Sequence, residues 1–109
     1  MNNQRVIESS GNLFADLGLA DPEELDLKAC LVMKLADVMR RRGVNQTATA
    51  ELTGISQPDL SKALRGRLRD ISVDRIIRAL TRLDTEIDIS VRHRGEQVGE
   101  TIHLTAVAA

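Results

Sequence analysis

Residues 46–66 read QTATAELTGISQPDLSKALRG, and no other stretch restricts the possible folds as tightly. The order of residues predicts two short helices joined at a fixed angle. The first spans about Gln46 to Thr53 and stops at Gly54, where the chain needs a positive φ that glycine adopts freely. After the turn Gly54-Ile55-Ser56 a second helix begins at Gln57. Ser56 is a good N-cap, and Pro58 falls in the first turn, where a missing N–H costs nothing. Ala50 is small at the point where the two helices cross, and Ile55 and Leu60 fill the angle between them. The remaining side of the second helix is polar, carrying Gln57, Asp59, Ser61, Lys62 and Arg65.

The rest of the chain reads as a small scaffold around this corner. Its 109 residues fit one domain. Residues 1–21 read as an arm with weak periodicity, in which Leu13, Phe14, Leu17 and Leu19 form an apolar cluster. Asp21 and Pro22 are N-cap and first-turn candidates for a helix running to about Arg42. In that helix Leu25, Ala29, Val32, Leu35, Ala36 and Met39 recur at three- and four-residue steps. Acids near its start and Arg40-Arg41-Arg42 near its end both suit the helix dipole. Ser72 caps a further helix of about Val73 to Leu83, with Ile76, Ile77 and Leu80 facing inward. These helices make up a central unit of residues 22–84.

From Glu86 the period switches to two: Ile87, Ile89 and Val91 alternate with Asp88, Ser90 and Arg92, the pattern of a half-buried strand. His93 to Gln97 resembles a hairpin loop, and Val98, Ile102, Leu104 and Ala106 suggest a returning strand. A lone two-stranded hairpin is marginal in water. Residues 85–109 are therefore expected to pair with the same segment of a second subunit through Ile87, Ile89 and Val91, or else to lie on their own helices. Phe14 is the one aromatic residue, so the core is expected to be aliphatic and to lean on a second copy.

Composition excludes several classes. No apolar run approaches the roughly 20 residues of a membrane span. The polar N-terminus gives no sign of a secretory leader. The single Cys30 excludes an internal disulfide, suits a reducing, cytoplasmic setting, and is expected in the core. His93 and His103 look isolated in the sequence, so no metal site and no other cofactor is expected. No serine has a recognisable histidine partner, and no glycine-rich phosphate loop follows a strand, so no enzyme is expected.

The net charge of −1 conceals a strong partition. Residues 1–27 hold one basic and six acidic side chains, whereas residues 28–94 hold fourteen basic and eight acidic ones. Affinity for a polyanion depends on local positive charge, and here it surrounds the two-helix corner. A polar helix held outward in this way can enter the major groove of duplex DNA with its N-terminal residues on base edges. Gln57 is the first choice for base readout, because an amide bonds adenine N6 and N7 as a pair. Asp59, Ser61 and Lys62 follow along the same face, with Asp59 also readable as a helix N-terminal acid. Gln46, Arg65, Arg67 and Arg69 are candidates for phosphate contacts. The alternative is a helical hairpin with no nucleic-acid role, such as a protein–protein adaptor.

The same residues resemble the phage-repressor and Cro-like family of regulators, often called XRE. Gln46 stands where that family has its phosphate-contacting glutamine, and Gln57 where it often has a base-reading one. Ala50, Gly54, Ile55, Leu60 and Gly66 fit as well, while Thr49 and Thr53 stand where the family usually has aliphatic residues. The resemblance implies a mainly α, lambda-repressor-like helix-turn-helix bundle with a C-terminal β-strand or hairpin. Residues 9–19, the Gln57-Pro58 start, the Gly66-Arg67 close and the late strand look like a subgroup that includes HigA-like antitoxins. That likeness implies a homodimeric autorepressor of a palindromic operator that also neutralises a basic, RelE-like toxin. The acidic arm with Leu13, Phe14, Leu17 and Leu19 is a candidate toxin-binding segment, or else packs back on the first helix; a stand-alone regulator without a toxin shares the pattern.

Overall fold

The computed structural model describes residues 21–106. Four helices come first: α1 (Asp21–Arg42), α2 (Gln46–Thr53), α3 (Gln57–Leu64) and α4 (Val73–Arg82). Four short strands follow: β1 (Ile87–Ile89), β2 (Arg92–His93), β3 (Glu96–Gln97) and β4 (Ile102–Leu104). This is the mainly helical fold with a terminal hairpin that the sequence implies.

The starts of α2, α3 and α4 and the end of α3 have local causes. The side chains of Asn45, Ser56 and Ser72 accept from the backbone N–H three residues on, at 2.8, 3.3 and 3.1 Å, satisfying N-terminal donors of α2, α3 and α4. At the end of α3, Gly66 N–H donates to the Ala63 carbonyl at 3.0 Å and Arg67 N–H to the Lys62 carbonyl at 2.9 Å. That pair of bonds is a Schellman closure, and it needs the left-handed Gly66 at φ 91°. The recognition-type helix therefore ends two residues short of Gly66, with Arg65 as its cap.

The core lies where α1, α3 and α4 meet, with Leu35, Leu60 and Ile76 fully buried. Every buried apolar side chain among the described residues is aliphatic or methionine. Thr49 and Thr53, the two departures on α2, are buried but satisfied. The Thr49 hydroxyl donates to the Asn45 carbonyl and the Thr53 hydroxyl to the Thr49 carbonyl, both at 2.8 Å. The α-helical periodicity of α1 misses two buried positions, Lys28 and Leu31, and misplaces Cys30, which is exposed rather than in the core. Cys30 follows Ala29 on the flank of the stripe that Leu31, Val32 and Leu35 direct inward.

The strands form one long antiparallel hairpin in two registered pieces. β1 pairs with β4 (Ile87 with Leu104, Ile89 with Ile102), and β2 pairs with β3 (Arg92 with Gln97, His93 with Glu96). The turn is tighter than the loop expected over His93 to Gln97. Only Arg94 and Gly95 are unpaired, at φ 51° and 87°, as a two-residue type I′ turn requires. Between the two pieces the outgoing strand has two residues and the return strand four, so the ladder breaks there. Val91 and Val98 fall in the break and outside the strands, although Val98 N–H still donates to the Val91 carbonyl at 2.8 Å. Ala106 also lies beyond the strands. Leu104 is buried, and Ile87, Ile89 and Ile102 pack against the helical core, so the hairpin's base lies on its own helices. Val91 and Val98 remain about half exposed, at 50% and 54%.

Candidate nucleic-acid interface

The corner between α2 and α3 sets the direction of α3. Gly54 has φ 81°, and its N–H donates to the Ala50 carbonyl at 2.9 Å. Ile55 and Leu60 are buried on the inner side of the angle, and Ala50 packs against the core. With those faces turned inward, Gln57, Pro58, Lys62 and Arg65 are exposed, while Asp59 and Ser61 are half-buried. The outward N-terminal end of α3 is thus polar and free of bulky apolar side chains.

The candidate phosphate contacts surround this face. Gln46, half-buried, is the first residue of α2, directly after the Asn45 cap. Arg65 caps α3, and Arg67 and Arg69 are exposed in the loop that follows. Among the described residues, the structure thus places Gln46, Gln57, Asp59, Ser61, Lys62, Arg65, Arg67 and Arg69 on α2, α3 and the adjoining loop. Leu13, Phe14, Leu17 and Leu19 lie outside the described residues.

Several basic residues are committed elsewhere. Arg40 and Arg41 both bond Asp37, at 2.9 and 3.0 Å. The Arg40 hydrogen bond and the Arg41 charge hold the Asp37 carboxyl below its ordinary 3.8. Arg42 bonds Asp84 at 3.0 Å and the Leu83 carbonyl at 3.3 Å, tying the end of α1 to the end of α4. On α4, burial raises the Asp74 carboxyl above its ordinary 3.8, against the opposing charge of Arg78 at 3.6 Å.

Three supporting residues escape a reading of the sequence. Arg82 donates to the Thr53 carbonyl at 3.3 Å, so α4 caps the C-terminus of α2 at the corner. Arg75 pairs with Asp59 at 3.7 Å, linking the first turn of α3 to α4 and giving Asp59 an intramolecular partner. Lys28, buried on α1, bonds Glu24 at 3.1 Å and the Leu68 carbonyl at 3.0 Å. The first two join residues too far apart in sequence to leave a local signal. Lys28 did leave one: a cation on the apolar stripe, three residues after Leu25 and four before Val32.

His103 is not isolated, as its sequence neighbours suggest. The ladder sets it opposite Asp88, with Nδ1 at 2.6 Å from that carboxylate and 3.7 Å from Glu86. Their ligating atoms lie within 4.8 Å of one another, so these three side chains are the described residues able to approach one cation. All lie on the C-terminal hairpin segment, away from the α2–α3 corner, and the contacts of His103 with Asp88 and Glu86 already account for their closeness.

This constellation defines a helix-turn-helix protein of the DNA-binding kind: a capped, outward polar helix held at a glycine corner and flanked by arginines. Comparison with known proteins agrees. A family model described as "Helix-turn-helix domain" matches residues 13–92. A solved structure named "Putative XRE Family Transcriptional Regulator" is 31% identical, with a TM-score of 0.65, over 83% of this chain and 100% of that one. No curated protein sequence matches. The chain belongs to the XRE-type helix-turn-helix family, a class of DNA-binding regulators rather than enzymes. No helix among the described residues is long and apolar enough to cross a membrane.

Proposed function

We propose that the protein is a homodimeric, sequence-specific transcriptional repressor. The observation that carries this reading is the exposed polar start of α3, with Gln57 at its first position. In a docked complex Gln57 reads an adenine edge, with Ser61 and Lys62 one turn further along the same face. Asp59 either accepts from a cytosine amine or stays with Arg75. Gln46, Arg65, Arg67 and Arg69 fix the register on phosphates.

Two copies bring two such helices to half-sites about 34 Å apart, one turn of a palindromic operator. The free edges of the β1–β4 pair and the exposed Val91 and Val98 support pairing through the C-terminal hairpin, with Ile87 and Ile89 beneath it. The test is a gel shift on the DNA upstream of the gene with wild type and Gln57→Ala. The variant should lose about 1–3 kcal/mol of operator affinity and discriminate less at one base position. Unchanged operator affinity would refute the base assignment.

A second partner is proposed on the charge partition. An acidic N-terminal stretch beside a basic domain suits a basic protein as well as DNA, which supports the antitoxin role. Leu13, Phe14, Leu17 and Leu19 would supply the apolar contact and Asp16, Asp21, Glu23 and Glu24 the charge. A small basic protein encoded next to this one should co-purify with it. If it does not, the stand-alone regulator is the better account.

A further inference from the structure

We infer that Lys28 is a positioning residue for DNA backbone contact, holding the arginine-bearing loop Gly66–Asp70 at the height of α3. The inference rests on the DNA-binding reading above and adds to it a residue that never meets DNA. Lys28 is 5% exposed at its side chain and sits on α1, 40 residues before the atom it binds. Its ammonium donates to the Leu68 carbonyl at 3.0 Å and faces the Glu24 carboxylate at 3.1 Å. Leu68 lies directly between Arg67 and Arg69: fixing its carbonyl fixes the peptide plane it shares with Arg69, while the Arg67 N–H is already held by the Lys62 carbonyl, so the two bonds together set the backbone from which both arginines project.

The half-buried Leu68 side chain packs against the helical core, which leaves the orientation of its peptide group to the bond from Lys28. A cleft of about 370 Å³ runs beneath the loop, lined by Leu25 of α1 and by residues of the loop itself. The Schellman closure anchors the loop only as far as Arg67. The Leu68 carbonyl lies outside any helix or ladder, and Lys28 supplies its donor. A buried ammonium is a poor device for stability alone, because apolar replacements of buried ion pairs are often neutral or stabilising. What the lysine supplies that an apolar side chain cannot is a fixed place for the carbonyl.

The test uses the full chain and a random-sequence duplex of about 30 base pairs, which reads phosphate contacts without knowledge of the operator. Affinity is measured by fluorescence anisotropy between about 50 and 200 mM salt for wild type, Lys28→Met, Arg67→Ala/Arg69→Ala and the triple variant. Each lost phosphate contact lowers the slope of log affinity against log salt by about 0.9, so Lys28→Met should lower it by about 1 to 2 and weaken binding roughly tenfold. In the background lacking both arginines the same substitution should change affinity less than about twofold, since its effect runs through them. Lys28→Arg, which keeps a donor for the carbonyl, should retain most of the slope and guards against a Lys28→Met chain that fails to fold. An unchanged slope in Lys28→Met, an equal loss with and without the arginines, or no recovery in Lys28→Arg would overturn the inference. If Arg67→Ala/Arg69→Ala itself leaves the slope intact, the phosphate assignment of the loop fails first, and the role of Lys28 falls with it.

Discussion

Gly54→Ala isolates the corner on which the orientation of α3 depends. A left-handed conformation costs a residue with a Cβ about 1–2 kcal/mol. Alanine recovers about 0.4–1 kcal/mol of that by restricting the unfolded chain. At Gly43, whose φ is 66° and where a Cβ would meet nothing within 4 Å, the net cost of alanine should therefore be about 1 kcal/mol. At Gly54 the new Cβ would lie 3.1 Å from Arg82 Nη1. That atom also donates to the Thr53 carbonyl at 3.3 Å, so making room for the methyl group displaces the bond that caps α2. Losing such a bond adds about 1 kcal/mol, for a total near 2. For a domain of this size the two variants should melt about 4–8 °C and about 8–16 °C below wild type. Thermal unfolding followed by far-ultraviolet circular dichroism measures both. Repeating Gly54→Ala in an Arg82→Ala background should reduce its cost to that of Gly43→Ala. Equal costs at Gly43 and Gly54 in the native background would show that the Arg82 contact contributes nothing, and the reasoning would fail.

Other expectations follow from the same structure. Thr49→Val should be close to neutral in denaturant unfolding, because the Asn45 carbonyl keeps the Thr49 N–H at 3.0 Å. Thr53→Val should cost about 1–3 kcal/mol, because the Ile55 N–H donates to the lost hydroxyl at 3.3 Å and would be left buried and unsatisfied. Asp74 binds its proton more tightly folded than unfolded, so its contribution to stability declines as pH rises from 3.8 to its raised pKa. Urea titrations across that window should show the decline in wild type and a flatter profile in Asp74→Asn. The lowered Asp37 acts in the opposite sense, losing its stabilising ionisation only as pH falls below 3.8.

What the sequence revealed about this protein was local. Ser56, Ser72, Gly54 and Gly66 act on neighbours within a few residues, and the switch from helical to alternating periodicity at Glu86 needs no tertiary knowledge; the Asn45 cap was equally local but was passed over. The outward face of α3 followed from the same logic, since Ile55 and Leu60 must turn inward and leave Gln57 and Lys62 outside. What stayed hidden was long-range. Nothing near Arg82 announces a bond to Thr53, and nothing near Asp59 announces Arg75. His103 looked solitary because its carboxylate neighbours, Asp88 on the opposite strand and Glu86 just before it, come from the other arm of a hairpin whose register the sequence left open. The break at Val91 was hidden for the same reason, since the surplus residues sit on the returning strand. Cys30 was misplaced by the breadth of the apolar stripe on α1, and Lys28 was passed over because a lone cation on such a stripe usually reaches out to water.

The bond from Arg82 to the end of α2 bears on modular reuse. A designer who transplants residues 46–66 into a foreign scaffold carries over the reading surface and its hinge but leaves behind the guanidinium that closes the hinge from outside. Such a chimera would present the right side chains at an unfixed tilt, attracting duplexes in general while losing preference for any one of them. The smallest portable unit of this protein therefore extends to the last turn of α4.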